Sequence, residues 1–324
     1  MRFPVFTIDS KQAFEKTALE IYRYQLQENK VYSQYCRLIN RTEAKTIEEI
    51  PFLPIQFFKS HPIISNNRAT EITFTSSGTT GSTVSKHHVT DLKVYDLSLD
   101  HSFEQTYGNI EDYVILALLP HYLDRTGSSL VYMAQRWINH SKRPESGFYL
   151  NNLKELSQVL ENLQKTQQKV ILIGVTFALL QLAENHAMPL ENTIIIETGG
   201  MKGMRKEIVK PELHQILRKA FPKASIQSEY GMTELLSQAY ASDGINFTTP
   251  PWMKVFTRDT NDPLAKIGYG KTGGLNIIDL ANYNSCSFIA TQDLGKSFQD
   301  GSFQVLGRFD HSDIRGCNLM AVDQ

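Results

Sequence analysis

Between about residues 110 and 230, short unbroken apolar runs alternate with segments whose apolar residues recur at helical spacing. Tyr113 to Leu119, Val170 to Ile173 and Thr193 to Ile196 are runs of the first kind, and Ala224 to Gln227 reads as a further strand. A run that is apolar at successive positions has no polar side to turn to water, so it reads as a strand covered on both faces. Between the runs, Leu153, Leu156, Leu160 and Leu163 mark one helix face, and Phe177 to Glu184 is helical. Met204 to Ala220 is helical too, interrupted or restarted at Pro211. Strands that alternate with helices make right-handed crossovers, which implies an α/β fold with largely parallel sheets flanked by helices. Nearer the N-terminus, Asp9 paired with Gln12 caps a helix that carries Phe14, Ala18, Ile21, Tyr22 and Leu26 on its buried face.

The texture changes after Pro250-Pro251. Gly268, Gly270, Gly273 and Gly274 fall close together, followed by the strand-like runs Leu275 to Leu280, Ser287 to Thr291 and Ser302 to Leu306. These predict a smaller β-rich lobe over about 250–310. The chain has 324 residues, more than one compact core usually holds, so the expected plan is a two-lobed core over 1–310 and a short tail over 311–324.

Charge and cysteine content exclude several function classes. The formal net charge is −1, and the basic cluster Lys202, Arg205 and Lys206 alternates with apolar residues like a solvated helix face. No nucleic-acid or anionic-surface partner is expected. The cysteines Cys36, Cys286 and Cys317 show no paired spacing, against a disulfide framework or a zinc site. The longest apolar runs, such as Val114 to Leu119, fall far short of a membrane span, and a cytoplasmic location is the default.

Three stretches carry chemistry. In Thr73-Phe74-Thr75-Ser76-Ser77-Gly78-Thr79-Thr80-Gly81-Ser82, seven of ten residues are hydroxylated and two are glycine. Such a loop turns N–H groups and hydroxyls toward an anion, or is simply a flexible loop; no Walker A register fits it. In Ser228-Glu229-Tyr230-Gly231-Met232-Thr233-Glu234, Glu234 can hold Mg²⁺ and Thr233 can donate to a phosphate oxygen, or the two merely start a helix. In the third stretch, Asp293-Leu294-Gly295 precedes Gly307-Arg308-Phe309-Asp310. Asp293 and Arg308 can take a ribose or a phosphate, or form a surface ion pair.

Taken in order, the hydroxyl-rich loop, Gly199-Gly200, Tyr230 to Glu234, Asp293 to Gly295 and Gly307 to Asp310 resemble the adenylate-forming superfamily, over about residues 70–310. The resemblance implies ATP and Mg²⁺ as cofactors and a carboxylic acid as substrate. It gives Thr75, Ser76, Ser77, Gly78, Thr79, Thr80 and Gly81 to the terminal phosphates. Gly199, Gly200, Tyr230 and Gly231 go to the adenine end, Thr233 to the α-phosphate and Glu234 to the metal. Asp293 and Arg308 go to the ribose, and Asp310 to a hinge, with the nucleotide between the lobes. The chemistry suits those residue types: a carboxylate attacking the α-phosphorus needs charge neutralised by donors and a metal, and no protein nucleophile.

The C-terminal domain usual in that superfamily, with its assisting lysine, has no counterpart after Asp310, and Lys86 follows the phosphate loop at a longer spacing than the usual pattern. A narrower resemblance, to the acyl-protein synthetases or fatty-acid–luciferin-component ligases, rests on further stretches. They are Pro51 to Lys59, Ser76 to Gly81 with Ser85-Lys86-His87, Leu119 to Arg125 with Ser128-Ser129-Leu130, and a tail with Cys317. It implies that Cys317 takes the acyl group from the adenylate and passes it to a partner such as an acyl reductase or an acyl carrier. A thiolate is a competent nucleophile for that step, although a lone cysteine is also often a small buried residue. His121 is a candidate contact for the carboxylate end, or an ordinary histidine. Two alternatives stand beside this reading. One is an acyl-CoA or acyl-carrier-protein ligase of the phenylacetate-CoA-ligase type; the other is a nucleotide-binding partner subunit without turnover.

Overall fold

The computed structural model describes residues 2–76, 83–120, 127–150, 152–200 and 208–308. The chain divides into two compact units, residues 70–250 and the combination of 1–69 with 251–324.

The unit formed by residues 70–250 is built on a mixed sheet which, among the described residues, has six strands. They run in the order Gly147–Phe148, Tyr113–Leu118, Lys169–Gly174, Thr193–Glu197, Ser225–Tyr230 and Ala239–Ala241. The first five pair in parallel and the last is antiparallel. The continuous apolar runs are the central strands: every residue of Tyr113–Leu118 is buried, as is Val170 to Gly174. Crossover helices follow their sequence signals. Leu153–Thr166 buries Leu156, Leu160 and Leu163 and starts at Asn152, whose side chain accepts from Glu155 N. Thr176–Asn185 is a second crossover helix.

Two helices that sequence periodicity leaves unmarked, Leu92–Tyr107 and Ser129–Ser141, also belong to this unit. They are clamped together by Arg136, which donates from Nε and Nη2 to Asp100 at 2.7 and 2.5 Å and lies 3.1 Å from Asp96. Tyr132 donates to Asp96 at 2.6 Å. Ile72–Thr75 and Lys86–Val89 pair antiparallel, and Thr73 to Ser76 of the hydroxyl-rich stretch belong to and directly follow the first of these strands.

The other unit pairs Gly273–Asp279 antiparallel with both Met253–Arg258 and Phe288–Ser297. Phe303–Arg308 continues the sheet on the far side of Phe288–Ser297, and Leu53–Pro54 joins that strand in parallel. The helices Lys11–Glu28 and Lys30–Leu38 pack in this unit, and Gln25 donates to the carbonyls of Asn282, Tyr283 and Ser285. Cys36 and Cys286 are buried here, and burial pushes the Cys36 thiol up to about 12.

Four expectations change. The first helix is capped by Ser10, whose hydroxyl accepts from Ala13 N, so Asp9 and Gln12 are not the capping pair. The helix expected to restart at Pro211 is Lys210–Ala220, because proline is tolerated in a first turn where its missing N–H costs nothing, while residues 204–207 of the expected helix lie outside the described residues. The run predicted as Ala224 to Gln227 is the longer strand Ser225–Tyr230, which places Glu229 and Tyr230 within the sheet. The run predicted as Ser287 to Thr291 is the longer strand Phe288–Ser297, which extends to include Asp293.

Candidate active site

The strand ends and the hairpin of residues 70–250 meet at a cavity of about 170 Å³. Thr75 and Ser76 bring the shoulder of the hydroxyl-rich loop to it, Thr198 brings the end of the central strand, and Gly231, Met232 and Thr233 bring the motif after strand Ser225–Tyr230. The clamped helices supply Tyr95, Ser129, Leu130 and Met133, and Glu229 and Gln238 complete the wall. A site at the carboxyl ends of parallel strands is where open α/β sheets bind ligands.

Local geometry explains why these segments converge. Thr75 N donates to the Gly127 carbonyl at 2.7 Å, and Ser76 N donates to Ser85 O at 3.1 Å. Ser85 N returns a bond to Ser76 Oγ at 2.9 Å, so the base of the loop is closed by backbone pairing. His87, buried on the opposing strand, donates from Nδ1 to the Thr233 carbonyl at 2.8 Å. Thr233 and Glu234 form a turn, with Leu235 N bonded to Met232 O, and no helix starts there. Gly231 is a glycine for space: a Cβ would fall 2.4 Å from Glu229 Oε1.

Beneath the cavity lies a buried polar network. Glu197 accepts from Thr176 Oγ1 at 2.5 Å and from Gly199 N at 2.6 Å, with Lys210 at 3.4 Å. Ser228 donates to Glu197 at 3.4 Å and meets His214 Nε2 at 3.1 Å. Glu229 is pushed up to about 8, first by burial and then by the neighbouring Glu197 charge, with Lys210 partly offsetting both. At neutral pH it is therefore a carboxylic acid able to donate a hydrogen bond.

The remaining predicted residues divide by place. Gly199 and Gly200 follow strand Thr193–Glu197 with positive φ. Tyr230 is buried, its ring edge-on to Phe247 at 5.8 Å. Glu234 is 5 % exposed and lies one residue beyond the cavity wall. Lys86 is exposed, directly opposite Thr75 in the hairpin register. In the other unit, Asp293 and Arg308 are register partners on adjacent strands and form an ion pair at 3.2 Å. Asp293 is nearly buried while Arg308 is mostly exposed, so one end of the pair faces solvent. Ser77, Gly78, Thr79, Thr80, Gly81, His121, Asp310 and Cys317 lie outside the described residues.

Sequence reasoning missed Tyr95, Met133, Thr198 and the cavity role of Glu229 and Gln238. Ser128-Ser129-Leu130 was the usable signal for the second helix: Ser128 caps it by accepting from Val131 N, and all three residues line the cavity.

The fold is shared with solved ligases. A 2-hydroxyisobutyryl-CoA ligase in complex with 2-HIB-AMP and CoA superposes with a TM-score of 0.67 at 12% identity, covering 93% of this chain and 70% of that one. ATP-bound MatB from Rhodopseudomonas palustris gives 0.56 at 16% identity, covering 75% and 49%. A long-chain-fatty-acid-CoA ligase from Archaeoglobus fulgidus gives 0.52 at 16% identity, covering 74% and 51%. The chain thus spans from about half to 70% of the length of these ligases. No curated protein matches the sequence. What these likenesses show is a shared fold. A family profile described as acyl-protein synthetase, LuxE, matches residues 6–324, and the chain belongs to that family. Among the described residues no helix is long and apolar enough to cross a membrane.

Proposed function

We propose that this protein joins a carboxylic acid to ATP as an acyl-adenylate, releasing pyrophosphate, and then passes the acyl group to Cys317 and on to a partner protein. The observation that carries the first step is one cavity walled jointly by Thr75, Ser76, Gly231 and Thr233, segments more than a hundred residues apart in the chain. Hydroxyl-bearing residues gathered at one point, Thr75, Ser76 and Thr233, fit a polyphosphate, because hydroxyls stabilise negative charge without titrating. Membership of the acyl-protein synthetase family supports the same chemistry.

In this reading Thr75 and Ser76 continue into Ser77 to Gly81 as the grip on the terminal phosphates, and Thr233 donates to the α-phosphate. Gly199, Gly200 and Tyr230 serve the adenine, and Asp293 with Arg308 serves the ribose. Glu234 is a buried carboxylate beside Thr233, a donor set that fits Mg²⁺, the ion that would neutralise charge on the leaving pyrophosphate. Lys86, exposed opposite Thr75, is the lysine available to the phosphates, and His121 is assigned to the carboxylate end. The acid's carboxylate oxygen attacks the α-phosphorus, and the bond to the β,γ-pyrophosphate breaks. The Cys317 thiolate then attacks the acyl carbon and AMP leaves. An acyl reductase is the proposed receiver; CoA or a carrier-protein thiol is the alternative acceptor.

The test is acid-dependent ATP–pyrophosphate exchange, followed by transfer of radiolabelled acyl group to the protein. Cys317→Ser is expected to keep exchange and lose the label. A fully labelled Cys317→Ser protein rules out the cysteine, and absence of exchange with every acid rules out adenylation.

A further inference from the structure

Thr198 lines the active-site cavity, and the residues on either side of it are bonded to each other. Glu197 Oε1 accepts from Gly199 N at 2.6 Å and from Thr176 Oγ1 at 2.5 Å. Thr176 N in turn donates to Gly199 O at 3.2 Å. The three residues close a ring of hydrogen bonds. It fixes the turn after strand Thr193–Glu197 against the start of helix Thr176–Asn185. Gly199 holds that turn at φ +79°, a left-handed conformation that suits glycine. Thr198 N, donating to Gly174 O at 3.1 Å, is anchored with it.

The second oxygen of the same carboxylate serves other elements. Glu197 Oε2 accepts from Ser228 Oγ at 3.4 Å, on strand Ser225–Tyr230, and pairs with Lys210 Nζ at 3.4 Å. Lys210 Nζ also lies 4.9 Å from the centre of the Phe247 ring, a cation–π distance. That ring meets Tyr230 edge-on at 5.8 Å. Glu197 is only 2% exposed and is not among the described residues that line the cavity. It touches no ligand space itself, yet its contacts run to both segments assigned to the adenine. A buried ion pair is often replaceable by apolar residues without loss of stability, so its use is to be sought in geometry.

We propose that Glu197 is a positioning residue for the nucleotide: it fixes the Gly199 turn through the ring with Thr176, and the Tyr230 side through Lys210 and Phe247. The inference rests on the adenylation reading above, in which Gly199, Gly200 and Tyr230 serve the adenine, and adds the residue that sets their spacing.

The experiment is ATP–pyrophosphate exchange with whichever straight-chain alkanoic acid supports the fastest rate, run on the full chain and on two variants. E197Q/K210M removes both charges at once, so neither is left buried alone, and it breaks the tie to Phe247. Thr176→Val opens the ring and changes no charge. The KM for ATP is expected to rise by about tenfold in the first and about threefold in the second, while the KM values for pyrophosphate and for the acid stay within about twofold of wild type. Pyrophosphate and the acid do not use the adenine segments, so a site that had merely loosened would raise all three constants together. A parallel rise in all three, with a lower melting temperature, means that Glu197 only stabilises the fold and overturns the proposal. A wild-type KM for ATP in either variant overturns it as well, and leaves adenylation intact. No exchange by the wild type with any acid overturns the adenylation reading itself, and this one with it.

Discussion

The Nδ1 of His87 donates a 2.8 Å hydrogen bond to the backbone carbonyl of Thr233, joining two motifs that lie 146 residues apart. A carbonyl only accepts, so the bond fixes the imidazole tautomer with its proton on Nδ1. It also sets the position of the Thr233 turn relative to the paired strands Ile72–Thr75 and Lys86–Val89. Replacing His87 with alanine leaves that carbonyl short of a donor, at a cost of about 1–3 kcal/mol. Pyrophosphate exchange is expected to drop at least tenfold, roughly the same energy expressed as a rate. Full exchange at an unchanged melting temperature would show that the tie does not position Thr233.

Glu234 is the proposed metal ligand. Glu234→Ala is expected to raise the Mg²⁺ concentration needed for half-maximal exchange by an order of magnitude or more, since removing a carboxylate ligand weakens an oxygen-ligated ion. A Mg²⁺ titration that superposes on the wild type removes Glu234 from that role.

Glu229 predicts a pH dependence of stability. Its folded-state pKa, pushed up to about 8, lies above the 4.5 of an ordinary glutamate, with burial and then the Glu197 charge as causes. Between those two pH values the folded protein keeps a proton that the unfolded chain has lost. The stabilisation is therefore complete below about 4.5 and is lost as pH rises through about 8, by up to ~1.4 kcal/mol per pH unit. Glu229→Gln cannot ionise, and its melting temperature is expected to fall less than that of the wild type over this window. Parallel curves for the two proteins would show that Glu229 titrates normally.

Gly127 supports the base of the loop. Its φ is +87°, and a Cβ there would meet Thr73 O at 2.9 Å and Thr75 Oγ1 at 3.2 Å. Gly108 also has positive φ, +82°, but a Cβ there would meet nothing within 4 Å. Both alanine variants carry the left-handed backbone cost of about 1–2 kcal/mol. Only Gly127→Ala also displaces Thr73 and Thr75, so only it is expected to raise the KM for ATP. Equal KM values in the two variants would separate Thr75 from nucleotide binding.

Much of this protein was legible before folding was considered. Runs such as Val170 to Ile173 are apolar because both sheet faces are covered, and covering both faces leaves no ambiguity of pattern. Glu229 and Gln238 were not legible as cavity residues. Glu229 reads as one more polar residue before Tyr230, and its raised proton affinity exists only because folding buries it beside Glu197. Tyr95 and Met133 sit on helices that sequence periodicity leaves unmarked, so nothing in the chain distinguishes them as cavity residues. Nor does spacing reveal that His87 reaches Thr233 rather than solvent.

The sequence alone determined the α/β class and the order of the central strands' apolar runs, because hydrophobic period and turn chemistry act between near neighbours; its motifs carried only a resemblance to adenylate-forming enzymes. Only the tertiary structure decided which side chains share a wall and which carboxyl has its proton affinity raised. Those are properties of desolvation and of distance through space, and two residues 146 positions apart acquire them only when the chain has closed around both.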